Sequence, residues 1–273
     1  MATGDATVHE RILRETLRLV TEMPFDRSPP WLGQKIHRLL RKATGNPDPY
    51  RGVKERSNAM ALALYPELKK RVRASADPFA TALRLAIAGN VIDFGCKGHL
   101  DDDEVRQAIE DAMEGSLNED SVADLRRAIE EAQDILYLAD NAGEIVFDRL
   151  LIEEMPTERI TLVVKGGPVI NDATREDAET GGLSSLVTVM DNGSDAPGTI
   201  LECCSPSFRT RFDRSDLVIA KGQGNYETLS RQNERIFCLL KAKCPVIARD
   251  IGCRVGQIVV CHNRPKAAQV ELI

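Results

Sequence analysis

The sequence predicts an α/β fold in which an all-helical N-terminal part rests on a doubly wound, mostly parallel sheet. Three observations predict it. Up to about Gln133 the apolar residues recur at helical spacing. From Asp134 onward they fall in short runs rich in Val and Ile, too short for helices. Those runs alternate with amphipathic segments, as parallel neighbours in a layered sheet require, because each pair needs a crossover between them.

Each element follows from its own residues. Ile12, Leu13, Leu17 and Val20 form one helical stripe, and Ile36, Leu39 and Leu40 a second. Leu62, Leu64 and Leu68 give a third; Leu83, Ile87 and Val91 a fourth. Val105, Ile109 and Met113 follow, then Val122, Leu125 and Ile129. Pro24, Pro29, Pro30, Pro47, Pro49, Pro66 and Pro78 are expected to punctuate these helices. Strand runs are expected at 135–139, 160–164, 186–190, 217–220, 236–240 and 257–261. The division is therefore a helical subdomain over 1–133 and a sheet domain over 134–273 that carries the site. The helices are expected to pack onto the sheet.

Composition limits the function. The 273 residues are 42% hydrophobic and 29% charged, which is globular. A chain this long buries roughly 75% of its unfolded surface and needs no disulfide or metal merely to fold. Lys+Arg 36 against Asp+Glu 42 leaves a net charge of -6, which argues against a general nucleic-acid binder. No apolar stretch approaches the ~20 residues of a membrane span. Neither a basic nor an apolar leader segment opens the chain. The seven cysteines are an odd count, and Cys238, Cys244 and Cys261 sit in apolar runs. These features lead to the expectation of a cytoplasmic protein with reduced thiols and no nucleic-acid or membrane partner. Oligomeric state is left open.

In open α/β sheets ligands bind beyond the carboxyl ends of the strands. The first run ends in Asp140-Asn141-Ala142-Gly143-Glu144 and the second in Lys165-Gly166-Gly167-Pro168, followed by Asn171-Asp172. The third ends in Asp191-Asn192-Gly193-Ser194-Asp195 and the fourth in Lys221-Gly222-Gln223-Gly224-Asn225. Asp140 with Asn141 suits the cap of a following helix, and Asp172 the cap of a helix over 173–179. The same three residues suit a hard divalent cation, which prefers oxygen ligands. Asp191-Asn192-Gly193 is by itself a good turn. The glycine-rich loop at Lys221 offers backbone N–H groups to a phosphate, but has neither the P-loop nor the dinucleotide spacing. Asn90 and Asp93 interrupt an apolar helical stripe, so they either close a helix at Gly95 or face a substrate.

Together these segments resemble the damage-control metal phosphatases, in their compact prokaryotic branch. The motifs 140–144, 165–172 and 221–225 carry the resemblance, with Gly89-Asn90, Asp93-Phe94-Gly95 and the segment 239–245. It implies a three-layer α/β/α sandwich with an N-terminal helical bundle. It also implies hydrolysis of small phosphomonoesters, such as sugar phosphates or damaged phosphometabolites, with a divalent metal held by Asp140, Asn141 and Asp172. Lys221 is similar to a phosphate-contacting lysine. Members of this branch usually open with a Cys-x-x-Cys segment, and none precedes His9 here.

The expected chemistry follows. A Mg²⁺-like ion neutralises the phosphoryl group as the P–O bond breaks. Lys221 adds a point charge, and N–H groups around Gly222 and Gly224 complete the cradle. Glu144 is the candidate base for an attacking water, ahead of direct attack by Asp140. Asn90, Asp93, Glu144, Gly222, Gly224 and Asn225 are the expected substrate contacts. The metal is open among Mg²⁺, Mn²⁺, Co²⁺ and Ni²⁺. Two rival readings are an adenosyl-methionine-dependent carboxyl methyltransferase and a non-catalytic metal- or metabolite-binding module. The turn after the first strand lacks the Gly-x-Gly of a closely approached cofactor, which speaks against the first.

Overall fold

The structure, a computed structural model, describes residues 4–24, 26–89, 102–233 and 235–263. Six helices lead in among these residues: α1 (Ala6–Glu22), α2 (Pro29–Thr44), α3 (Arg51–Ala74), α4 (Pro78–Gly89), α5 (Asp102–Glu114) and α6 (Glu119–Glu131). Their ends carry the expected signals. Asp5 caps α1 through Thr7, Pro29 and Pro30 open α2, and Gly45 closes it at φ 66°.

The α/β part then alternates. Its elements are β1 (Ile135–Leu138), α7 (Glu144–Ile152), β2 (Ile160–Val164), α8 (Arg175–Thr180), β3 (Thr188–Asp191) and α9 (Pro206–Arg214). β4 (Leu217–Lys221), α10 (Gly222–Leu229), β5 (Ile236–Lys241), α11 (Pro245–Ile251) and β6 (Ile258–His262) complete it. The strand order is β3-β2-β1-β4-β5-β6; the first five run parallel, and β6 returns antiparallel to β5.

Period-2 alternation builds a core on each face of the sheet. Ile135 and Tyr137 face one core with Leu83, Ile87, Phe147 and Leu151, from α4 and α7. Leu136 and Leu138 face the other with Phe208, Phe212 and Tyr226, from α9 and α10. Helices thus cover both faces, and β1, β2 and β4 are buried along their whole length. This is the three-layer sandwich that the resemblance implied. Among the described residues no helix is long and apolar enough to cross a membrane.

Three expectations need correction. Pro66 lies inside α3 and does not divide it. A proline there usually costs about 3 kcal/mol; burial of Ala61, Leu68 and Val72 on either side carries the helix through. α1 packs on α2, with Arg11 donating to Ala43 O, and not on the sheet; Leu13, Leu17 and Val20 stay 60, 57 and 41% exposed. The run at 186–190 becomes a strand only from Thr188, because Leu186 and Val187 still donate backwards to Leu183 O.

The sheet order places the site. The chain moves from β1 outward to β2 and β3, then returns to β4 on the other side of β1. Reversal of winding opens a crevice at the carboxyl ends of β1 and β4.

Candidate active site

Asp140 leaves β1 at that crevice. Gly222, the first residue of α10 with φ 79°, faces it so closely that a Cβ there would overlap the Asp140 carboxylate. The loops after β1 and β2 are joined along their backbones. Ala142 donates to Asn171 O and Ala173 to Asp140 O, each at 2.8 Å, around a bridge between Asn141 and Asp172. Asp140, Asn141 and Asp172 are thereby brought together, at 9, 8 and 4% exposure.

The capping readings do not hold. The residue capping α7 is Gly143, with no side-chain cap bond. Asn141 Nδ2 instead donates to Asp140 Oδ2 (3.0 Å) and to Glu144 Oε2 (2.8 Å). α8 begins at Arg175, and Thr174 with Asp177 forms its capping box, so Asp172 is not needed as a cap. Asp172 lies 3.3 Å from Lys165 Nζ, which also donates to Gly198 O.

Electrostatics bear on what the site accepts. The Asp140 carboxyl is held well above its ordinary range, first by burial and then by the Glu144 and Asp172 carboxylates; Lys243 and Lys165 pull it back. Anionic oxygens therefore crowd one spot, which a cation relieves. Among the described residues no three His, Cys, Asp or Glu side chains group to hold an ion by themselves. Two carboxylates and the Asn141 carboxamide offer oxygen atoms there, a set that would suit a Mg²⁺-like ion keeping several waters.

Other expected contacts find different roles. Lys221 is 0% exposed and points into the layer under α4 and α7. Its ammonium donates to Ala86 O (2.8 Å), Glu144 Oε1 (2.7 Å) and Asp148 Oδ1, so all three N–H bonds are engaged away from the crevice. Burial opposes that charge, but Asp148 and Glu144 raise the lysine above its ordinary range. Burial pushes the Asp148 carboxyl up to about 7 against the pull of Lys221, and Tyr137 donates to it at 2.9 Å. Glu144, 1% exposed with its oxygens on Lys221 and Asn141, orients those groups and is closed to substrate. Asn225 is 0% exposed; it donates to Lys221 O and accepts from Thr199 Oγ1, which ties the loop after β3 to β4. Gly224 packs against the backbone of Gly198. Among the described residues, Gly222 is the expected contact that adjoins Asp140 through its backbone. Asn90 and Asp93 lie outside the described residues.

Asp191-Asn192-Gly193 is a turn, as its residues suggested. Gly193 has φ 71°, and Asn192 Oδ1 accepts from the Ser194 and Gly166 N–H groups. Asp195 beyond it is clasped by α2: Gln34, Arg38 and Arg41 all donate to its carboxylate. Beside Lys165 a cavity of about 190 Å³ is lined by Lys54, Gly166, Gly167, Arg175 and Asp191. A larger one, about 540 Å³, lies at the opposite end of the sheet beside Asp216 and Arg235, far from these groups.

Sequence reasoning passed over Asp148, Asn58 and Asp177 and gave Lys165 no role. Asp148 stands four residues after Glu144 on α7, a spacing that signals a shared polar face. Lys165 was visible only as a strand-end residue. Asn58, which accepts the Gly143 N–H at 2.7 Å, and Asp177 gave no signal, because their partners are distant in sequence.

Fold and site together define a doubly wound α/β protein with an oxygen-rich acidic cluster at its switch point. Residues 1–259 match the model of the damage-control phosphatase ARMT1-like domain, and the chain belongs to that family. A damage-control phosphatase of Pyrococcus horikoshii is 36% identical over 97% of this chain and 93% of its own length. Another, from Archaeoglobus fulgidus, is 36% identical over 95% of this chain and 91% of its own. The crystal structure of a DUF89 family protein from P. horikoshii superposes with a TM-score of 0.86 at 35% identity, covering 96% of this chain and 92% of that one. These relatives support a phosphatase-type, hydrolytic function. The turn after β1 also disfavours the methyltransferase reading. A Cβ at Gly143 would lie 2.8 Å from Ser57 Cβ, so this glycine makes room for α3 and not for a cofactor.

Proposed function

We propose that this chain hydrolyses phosphomonoesters of small metabolites, such as sugar phosphates, at the crevice beyond β1, β2 and β4. The reaction uses a divalent cation, Mg²⁺ or one of Mn²⁺, Co²⁺ and Ni²⁺, held by Asp140, Asn141 and Asp172. The observation that carries this reading is the convergence of those three oxygen donors on two joined loops, none of them used as a helix cap. When bound, such an ion supplies charge neutralisation at the phosphoryl oxygens.

The chain's own residues prepare the rest. Glu144 takes the Asn141 N–H bond, so the carboxamide oxygen is turned to the opposite side. Lys221 fixes Glu144 from below. Lys165, beside Asp172, puts positive charge at the edge of the crevice, where a phosphate oxygen is attracted. Gly222 opens α10, whose N-terminal end favours an anion. The cavity of about 190 Å³ next to Lys165 suits a small substrate better than a macromolecule.

The test is phosphate release from p-nitrophenyl phosphate and from a panel of phosphorylated metabolites, with and without EDTA. Release that EDTA abolishes and added Mg²⁺ or Mn²⁺ restores supports the proposal. Release that persists in EDTA removes the metal from it. No release from any ester with any of the four ions favours a binding module instead.

A further inference from the structure

We infer that Asn58 and Asp177 form a positioning pair that sets the two acidic loops of the crevice at a fixed separation. Asn58 Oδ1 accepts the Gly143 N–H at 2.7 Å, and Asn58 Nδ2 donates to Asp177 Oδ1 at 2.8 Å. Asp177 Oδ2 accepts from Thr174 N (2.8 Å) and Thr174 Oγ1 (2.7 Å). One side-chain pair therefore reaches from the turn carrying Asp140 and Asn141 to the turn carrying Asp172.

The backbone bonds between Ala173 and Asp140, and between Ala142 and Asn171, already join those turns on their other side. The pair closes a ring that runs from Asp140 through Gly143, Asn58, Asp177, Thr174 and Ala173 back to Asp140. Both side chains are buried, at 3% for Asn58 and 4% for Asp177. Lys54 Nζ, 3.3 Å from Asp177 and 3.0 Å from Asp48, offsets the buried charge. Buried polar networks in which every member is satisfied are rigid. A small hard cation demands that rigidity, because it accepts little departure from octahedral geometry. The inference rests on the reading of Asp140, Asn141 and Asp172 as metal ligands. It also assigns a task to the helical part of the chain: α3 brings Asn58 to the loop.

Donor and acceptor matching makes the pair testable. In Asn58→Asp two acceptors face each other, and the bond to Asp177 is lost. In the exchange Asn58→Asp with Asp177→Asn, the carboxylate still accepts from Gly143. The new carboxamide donates across the pair and still accepts from Thr174. The experiment measures Mn²⁺ affinity by electron paramagnetic resonance of the free ion. Amide hydrogen exchange at Gly143 and Thr174 and a melting curve are recorded on the same samples.

The single variant should bind Mn²⁺ about 10- to 100-fold more weakly, the usual effect of losing an outer-shell partner. It should exchange faster at both amides, and the double variant should return both readouts to wild-type values. Wild-type Mn²⁺ affinity in the single variant, or no recovery in the double, overturns the inference. Should the single variant not fold, the double variant at wild-type affinity and exchange supports it, and an impaired double overturns it. Should the wild type bind no Mn²⁺, the metal reading fails, and the exchange data still decide whether the pair holds both loops.

Discussion

Lys221 Nζ lies 2.7 Å from Glu144 Oε1 in a layer where both side chains are closed to solvent, at 0 and 1% exposure. Asp148 completes the group from one turn further along α7. The strand-end lysine that the sequence offered as a phosphate contact is thus the counter-ion of two buried carboxylates. It reaches the crevice only through Glu144 and Asn141.

Lys221→Met should therefore destabilise the fold as well as slow turnover. It leaves Glu144 and Asp148 buried with no cation, and breaking such a group costs about 3–5 kcal/mol. Urea unfolding of the variant measures the loss. Wild-type stability combined with a raised KM would return Lys221 to direct contact with the substrate.

Asp172→Asn should leave α8 capped, because Thr174 and Asp177 do that work. On the proposed reading one of two anionic ligands is removed, so the metal requirement should rise. The rate should fall at least ~100-fold if the ion stabilises the transition state by about 3 kcal/mol. A metal titration of activity, paired with a melting curve, checks this. Normal rate and normal metal response would leave the proposed site one ligand short.

Gly222→Ala should disturb Asp140 directly. The new methyl group has no room beside that carboxylate, and the backbone holds φ 79°. The conformation alone costs roughly 1–2 kcal/mol for a residue with a Cβ. Activity should be lost at metal concentrations that saturate the wild type, with only a modest drop in melting temperature. Full activity in the alanine variant would place Asp140 away from the reaction.

Asp195 gives a pH dependence with a definite sign. Burial opposes its charge, but hydrogen bonds from Arg38 and Gln34, with the Arg38 charge and Arg41, hold the carboxyl down at about 2 from an ordinary 3.8. A depressed carboxyl stabilises the fold fully above its unfolded value and loses that contribution as pH falls through the folded one. The clasp of α2 on the loop after β3 should therefore loosen between about pH 4 and pH 2. Limited pepsin digestion across that range should open the α1–α2 segment first, and Asp195→Asn should open it already at pH 4. Equal resistance of variant and wild type at pH 4 would show that the clasp rests on packing alone.

The helices, five of the six strand positions and the strand-end residues were legible because they depend on neighbours a few residues away. Spacing of 3.6 or 2 records which face of a segment meets a core. The meeting of Asp140, Asn141 and Asp172 was legible because in a doubly wound sheet the residues just past β1 and β2 fall on one edge. Part of the fate of Lys221 was also written locally. It continues the alternation of Leu217 and Ile219, which face the core shared with α4 and α7. Glu144 and Asp148 stand four apart on the helix that covers that face.

Tertiary structure alone decided the rest. Asn58 and Asp177 meet across 119 positions, and Arg38 and Asp195 across 157. No periodicity records such pairs, because their geometry exists only once α2 and α3 have docked over the strand ends. Whether Asp172 caps a helix depended on where α8 starts, and the Thr174–Asp177 box settled that two residues from the expected place. The sequence by itself determined which groups arrive at the crevice. Packing determined which of them face it, because burial forces every charged group either to take a partner or to stay at the water's edge.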